Sequence, residues 1–212
     1  MSEKKQIVSM IQSIAGEYPI ESVFSDWVKC MSIAYQNSIR LIRDSVWNLR
    51  ENEYLQTIKK YNSKNQEKCC EMHALLVVAM EKEITDLLGQ IYMELECGSK
   101  ATGQFFTPFH LSQLMANIAF FENDKYIINE PSCGAGGMII AFAKHLKDKG
   151  LNYQNLMRVT AQDLEWRSVY MTYVQMCILG INAVVIRADS LSGKKPSKES
   201  ILYTPRKAGC FI

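Results

Sequence analysis

The stretch that decides the fold is Glu130-Pro131-Ser132-Cys133-Gly134-Ala135-Gly136-Gly137. An apolar run at 125–129 precedes it, and an apolar helical pattern begins directly after it. Gly134 and Gly136 permit positive φ and carry no Cβ, while the first turn of the following helix offers free N–H groups. The stretch therefore predicts a backbone turn that a ligand can approach closely, the alternative for such a turn being a purely structural role.

The residues from 125 onward alternate between two patterns. We predict strands at 125–129, 156–161 and 183–188, with helices at 137–149 and 165–179. Strands that alternate with helices of this length indicate right-handed βαβ units and a parallel sheet, in which ligands lie beyond the carboxyl ends of the strands. The predicted fold class is α/β with a Rossmann-like sheet.

The predicted sheet is truncated. The residues from 125 onward have room for about three strand–helix units, fewer than a complete Rossmann-like sheet contains. The first strand is then an open edge with unpaired backbone groups and apolar surface. We expect the N-terminal half, the tail that starts at Ser200, or a second chain to cover this edge.

The N-terminal half has a different pattern. Up to about residue 97, apolar residues recur at spacings of three and four, which predicts helices throughout. One apolar stripe starts at Ile20, just after Pro19, and a later stripe spans 75–95. Gly98 and Gly103 flank small and polar residues and mark a break. We predict a helical N-terminal domain at 1–100 and an incomplete Rossmann-like domain at 101–212.

An acidic residue ends or follows each predicted strand: Glu130, Asp163 and Asp189. A carboxylate at Glu130 would repel the pyrophosphate of NAD, but it would attract the sulfonium and ammonium of S-adenosylmethionine. Asp163 stands where Rossmann-type sites bind ribose hydroxyls, its alternative being an acid at a helix N-terminus. Asp189 is predicted to accept a hydrogen bond from the adenine amine, its alternative being a turn cap with Ser190.

Composition excludes several protein classes. The 212 residues are 48% hydrophobic and 22% charged, as in ordinary globular domains. No apolar run approaches the roughly 18 residues of a membrane span, and no signal-peptide core follows Met1, so we expect a cytoplasmic protein without a membrane partner. The seven cysteines include no Cys-x-x-Cys, and we predict neither disulfides nor a metal site.

The net charge of +2 is too small to identify nucleic-acid binding by itself. Basic residues do gather towards the C-terminus, and we interpret them as solvating a loop and tail. They are Lys194, Lys195, Lys198, Arg206 and Lys207.

These motifs resemble those of the adenine-specific (N-6) DNA methyltransferases related to the modification subunits of type I restriction systems. In that family a Gly-x-Phe/Tyr-Tyr/Phe-Thr-Pro segment precedes the glycine turn, and this chain has Gly103-Gln104-Phe105-Phe106-Thr107-Pro108 before 130–137. The similarity covers about 85–191 and includes the Gly180-Ile181 ending of the second helix.

The resemblance implies S-adenosylmethionine as cofactor, DNA as substrate, and a specificity subunit, another partner subunit or a second copy as partner. It also implies a set of cofactor-binding residues, of which Phe105 and Phe106 would otherwise be interpreted as a core anchor. The set is Phe105, Phe106, Thr107, Pro108, Glu130, Pro131, Cys133, Gly134, Gly136, Asp163, Asp189 and Ser190.

The chain departs from the family pattern on the acceptor side. Family members that transfer a methyl group carry an Asn/Asp/Ser-Pro-Pro-Tyr/Phe tetrapeptide, and these 212 residues contain none; the nearest stretch, 201–206, has the single Pro205. No catalytic residue is therefore assigned. Two hypotheses stand: an enzyme that methylates the adenine amine in DNA, and a non-catalytic cofactor-binding or modification-subunit-like interaction protein.

Overall fold

The structure, a computed structural model, describes residues 2–95 and 106–209. The predicted break at 97–103 and the predicted cofactor residue Phe105 lie outside the described residues, and the division at 100 stays a prediction. No helix within the described ranges is both long enough and apolar enough to cross a membrane.

The N-terminal half is helical, as its periodicity predicts. Its helices are α1 (Glu3–Ile14), α2 (Ile20–Ser38), α3 (Ser45–Ile58), α4 (Ser63–Lys82) and α5 (Leu87–Glu94). Side chains cap four of them, because Ser2, Asp44, Asn62 and Asp86 each accept a hydrogen bond from a backbone N–H of the first turn. Pro19 precedes the first residue of α2 and leaves the chain extended there.

The apolar stripe at 75–95 does not belong to one helix. Glu83 is extended and ends α4, and Asp86 then starts α5 by accepting from Gly89 N at 2.9 Å. The spacing of three and four continues across this interruption because both helices bury their apolar residues in the same core. The interruption leaves Asp86 as a helix cap in the middle of an apolar stripe.

The second half alternates strands and helices. After α6 (Phe109–Ala119) come β1 (Tyr126–Glu130), α7 (Gly137–Asp148), the single turn α8 (Tyr153–Leu156), β2 (Met157–Asp163), α9 (Trp166–Ile178), β3 (Ala183–Arg187) and β4 (Ile201–Tyr203). The predicted strands and helices are confirmed with shifts of one or two residues. Strand β2 extends to Asp163 itself, which is therefore the last residue of the strand.

The sheet has the order β1-β2-β3-β4. Its first three strands are parallel, with Ile128 opposite Val159 and Thr160 opposite Val184. The fold is thus α/β with a small Rossmann-like sheet, as predicted. Helix α9 packs against β2 and β3 on one side and against α2 on the other, so the N-terminal helices and the sheet share one core.

The tail does not cover β1. Strand β4 pairs antiparallel with β3 at the opposite edge, where Thr204 Oγ1 accepts from Ala183 N at 3.0 Å and Leu202 is buried. The side chain of Leu202 completes the core on that side, which is why the tail lies there. Within the described chain β1 remains an edge strand, and Ile127 on it is 88% exposed.

Candidate cofactor site

The glycine turn has the backbone conformation that its sequence predicts. Gly134 has φ +53° and Gly136 has φ +91°, both in the left-handed region that side chains disfavour. Gly136 N donates to Cys133 O at 2.7 Å, and helix α7 begins at the next residue. The N-terminus of α7 therefore faces the carboxyl end of β1, where ligands of parallel sheets lie.

Both glycines also make room for their neighbours. A Cβ on Gly134 would lie 2.9 Å from Phe106 Cδ1, and one on Gly136 would lie 3.2 Å from Thr172 Oγ1. The Phe106 ring packs in turn on Tyr92, with ring centroids 5.0 Å apart. Close packing on both sides fixes the turn between α9 and the segment that enters α6.

Asp163 ties the second strand to the glycine turn. Its Oδ2 accepts from Gly134 N at 2.9 Å, and its Oδ1 accepts from Glu165 N at 3.0 Å. A second bond, from Cys133 N to Gln162 O at 2.8 Å, runs alongside. The carboxylate thus orders both the turn and the start of α9, and the remaining lone pairs of its two oxygens are available to a ligand.

A cavity of about 260 Å³ opens between this turn, the start of α6 and the start of α5. It brings together five of the residues predicted to bind the cofactor, namely Phe106, Thr107, Cys133, Gly134 and Asp163. Its other lining residues are Asp86, Ser112, Ser132, Ala135, Gly137 and Met138. The described residues that line it include two carboxylates and no Lys, Arg or His.

The remaining predicted residues lie around the cavity. Pro108 precedes α6 and Pro131 is exposed in the turn, whereas Gly136 packs on α9. Glu130 ends β1 and lines a neighbouring groove of about 540 Å³ along the open sheet edge. Their roles towards a cofactor stay predictions.

The end of β3 is farther from this arrangement. Asp189 and Ser190 are exposed, and neither lines the cavity. Asp189 Oδ1 accepts from Leu191 N at 2.9 Å, the local turn-capping arrangement that was its alternative. A carboxylate can cap a turn and accept a hydrogen bond from a ligand at the same time. The adenine-binding role of Asp189 therefore also stays a prediction.

Three polar residues near the cavity were missed by the sequence prediction: Asp86, Ser112 and Gln175. Gln175 is fully buried, and its Nε2 donates to Asp86 Oδ1 and to Ala135 O, both at 2.8 Å. Its Oε1 accepts from Leu88 N at 3.1 Å. The Gln175 side chain thereby joins the N-terminal helices to the glycine turn. The only sequence signal for this contact was an acid, Asp86, at a position where it could cap a helix.

Burial sets the protonation of the groups around the turn. It raises the pKa of the Cys133 thiol to about 12, which keeps this residue a neutral thiol. Burial also raises the pKa of Glu130, against a hydrogen bond from Ser132 N that lowers it. For Asp86, burial again raises the pKa, while hydrogen bonds from Gln175 and Gly89 act in the opposite direction.

The parallel strands and the glycine turn define a Rossmann-like α/β protein with an acidic cavity. The family model described as N-6 DNA Methylase matches residues 83–204, more than half of the chain. The chain belongs to the N-6 DNA methylase family, which confirms the predicted resemblance.

Individual relatives agree with this family. The chain is 27% identical over 130 residues to the type I restriction enzyme MpnII methylase subunit of Mycoplasma pneumoniae. That match covers 57% of this chain and 23% of the relative, so the chain spans about a quarter of the curated protein it matches.

Two crystal structures are also similar. A putative class I S-adenosylmethionine-dependent methyltransferase from Listeria monocytogenes aligns with a TM-score of 0.48 at 11% identity, over 91% of this chain and 55% of the other. A type I restriction-modification methyltransferase subunit from Streptococcus thermophilus aligns with a TM-score of 0.42 at 23% identity, over 85% and 42%.

Proposed function

We propose that this chain binds S-adenosylmethionine in the cavity at the glycine turn, as the cofactor-binding part of a DNA adenine N-6 methyltransferase of type I restriction-modification. The observation that carries the proposal is the charge of the cavity. Two carboxylates, Asp86 and Asp163, line it, and its described lining includes no cationic residue. A dinucleotide pyrophosphate would be repelled there, whereas S-adenosylmethionine, which has two cationic groups against one carboxylate, suits it.

The residues present fit this cofactor. The Gly134 backbone lies so close to the Phe106 ring that no Cβ would fit between them, and both residues line the cavity. An aromatic face beside a sulfonium is favourable in the same way as beside other cations. Asp163 would hold the ribose hydroxyls through the lone pairs that its two backbone hydrogen bonds leave free.

When bound, the cofactor supplies an activated methyl group on sulfur. The chain's own contribution is to bind and orient it: the glycine turn gives backbone contact, and the side chains from α6 and β2 limit where the sulfonium can lie. Transfer to a base requires an acceptor site that positions the amine in line with that methyl. The tetrapeptide that supplies this site in the family has no counterpart in these 212 residues.

We propose that a further polypeptide completes the acceptor side by docking along β1. The free edge of β1 and the exposed Ile127, Ile118 and Phe121 support this location. Glu130, at the carboxyl end of the same strand, lies beside Ser132 of the cofactor cavity, so a strand added parallel to β1 would end next to the cofactor. The adenine amine in DNA, and a specificity subunit that selects the sequence, belong to this proposal.

Calorimetric titration of S-adenosylmethionine into the purified chain tests the first step, with Asp163→Ala as the pocket variant. We expect micromolar binding that Asp163→Ala weakens at least tenfold. No heat at millimolar ligand from the folded chain would overturn the cofactor assignment. Transfer of a labelled methyl group to DNA by this chain alone would show that the acceptor side needs no second polypeptide.

A further inference from the structure

Asp86 is a buried carboxylate that lies outside the two motifs on which the resemblance rests. It caps α5, is 4% exposed, and lines the cofactor cavity together with Asp163. Both hydrogen bonds that its side chain accepts from described residues, from Gly89 N and Gln175 Nε2, end on Oδ1. No described residue donates to Oδ2, which therefore keeps acceptor capacity for a ligand.

Among residues 2–95 and 106–209, the carboxylate has no cation beside it. None of the ion pairs among the described residues includes Asp86. Burial of the carboxyl group raises its pKa. An unpaired buried charge is costly, and proteins that keep one usually pair it with a side chain or a ligand. Gln175 holds Asp86 in place through bonds that reach Ala135 O and Leu88 N. The position is thus fixed by the fold rather than by a counter-ion.

A second polar group meets Asp86 at the same point. Ser112, on α6, is fully buried and lines the same cavity, and its Oγ has no hydrogen-bond partner in the described structure. A Cβ on Gly137 would lie 3.2 Å from Asp86 Oδ2 and 3.5 Å from Ser112 Oγ, so both oxygens approach the first turn of α7. Two oxygen acceptors, one of them charged, are suited to a group that donates several hydrogen bonds and carries a positive charge.

The geometry points to Asp86 and Ser112 as the subsite for the primary ammonium of the cofactor's methionine moiety, with Gln175 as the residue that positions Asp86. This inference rests on the proposed function. A sulfonium has no N–H or O–H to donate, whereas an ammonium has three N–H donors, so the free Oδ2 and the unpaired hydroxyl select the ammonium of the two cationic groups. The adenosine end then lies towards Asp163.

The test uses the full chain with Asp86→Asn and three ligands. The amide keeps the Oδ1 that Gly89 and Gln175 contact, and it replaces Oδ2 by a donor. Calorimetry would compare S-adenosylmethionine, S-adenosylhomocysteine, which keeps the amine but has no sulfonium, and 5′-methylthioadenosine, which has neither. We expect Asp86→Asn to weaken the first two about tenfold to a hundredfold and the third by no more than twofold.

The outcomes separate the two proposals. If the unaltered chain binds none of the three ligands, both the proposed function and this subsite are overturned. If it binds S-adenosylmethionine and Asp86→Asn binds it equally well, or if the variant loses all three ligands equally, the subsite alone is overturned. Ser112→Ala, which removes only a hydroxyl, provides the same comparison if Asp86→Asn does not fold, with an expected loss of about threefold to tenfold for the two amines only.

Discussion

The two carboxylates that line the cavity, Asp163 and Asp86, differ in how the fold accommodates them. Asp163 is half-buried and each of its oxygens accepts a backbone N–H. Asp86 is buried, leaves one oxygen without a donor, and has no ion-pair partner among the described residues. The Asp163 side thus holds the turn together through its own hydrogen bonds, whereas the Asp86 carboxylate is buried without a counter-charge among the described residues, an arrangement that a cationic ligand would explain.

The largest effect is expected where the two sides are joined. Gln175→Ala would leave Asp86 Oδ1, Ala135 O and Leu88 N short of a partner in the core and would create a cavity. We expect a loss of about 3 to 5 kcal/mol in the free energy of unfolding, measured by urea denaturation. Gln154→Ala, which removes a partly buried bond to Leu179 O, is the matched control and should cost about 1 kcal/mol. Equal losses in both variants would contradict the joining role of Gln175.

The Asp163 side should lose stability when its carboxylate is removed. Asp163→Ala deletes the bonds to Gly134 N and Glu165 N, and we expect the free energy of unfolding to fall by about 2 kcal/mol. Asp163→Asn, which keeps one acceptor oxygen, should lose about half as much. Thermal unfolding of both variants measures this, and an unchanged melting temperature in Asp163→Ala would show that the turn does not depend on the carboxylate.

The Asp86 side should gain stability from the equivalent change. Burial raises the pKa of Asp86 in the folded chain above its unfolded value, so the folded state becomes less stable as pH rises from the ordinary carboxyl range through that raised pKa. Asp86→Asn removes this penalty. At about pH 7.5 we expect the variant to be about 1 kcal/mol more stable, with the difference disappearing near pH 3.5.

Urea denaturation of the variant and the unaltered chain at both pH values measures the difference. Burial also raises the pKa of Glu130, but this residue is present in both proteins, so its contribution cancels in the comparison. A variant that is less stable than the unaltered chain at both pH values would mean that Asp86 has a structural role, and it would remove the contrast with Asp163.

The smallest effect is expected at the end of β3. Asp189 is exposed and its side chain accepts from Leu191 N, so Asp189→Ala should change the free energy of unfolding by no more than about 0.5 kcal/mol. As an exposed partner of the adenine amine it should contribute no more than about threefold to cofactor affinity by calorimetry. A loss as large as that of Asp163→Ala would show that the end of β3 closes over the cofactor.

Local sequence signals predicted the sheet half well. Gly134 and Gly136 adopt the positive φ that their spacing indicated, and the alternation of apolar runs located three strands and two helices. The short strand β4 was missed because Ile201–Tyr203 is too brief for a recognisable alternation and is held by pairing with β3. Similarly, the stripe at 75–95 hid the end of α4, since periodicity reports a shared buried face and not the continuity of one helix.

The sequence by itself determined the family, the glycine turn and Asp163, because a strand, a turn and a helix that follow one another are encoded by neighbouring residues. Only the tertiary structure decided that Asp86 and Ser112 meet at Gly137, since they come from α5 and α6, far from the turn along the chain. It also decided that β4 covers the β3 edge and leaves β1 open. Such contacts depend on packing between distant segments through groups like Gln175, and no local pattern records which buried side chains will find each other.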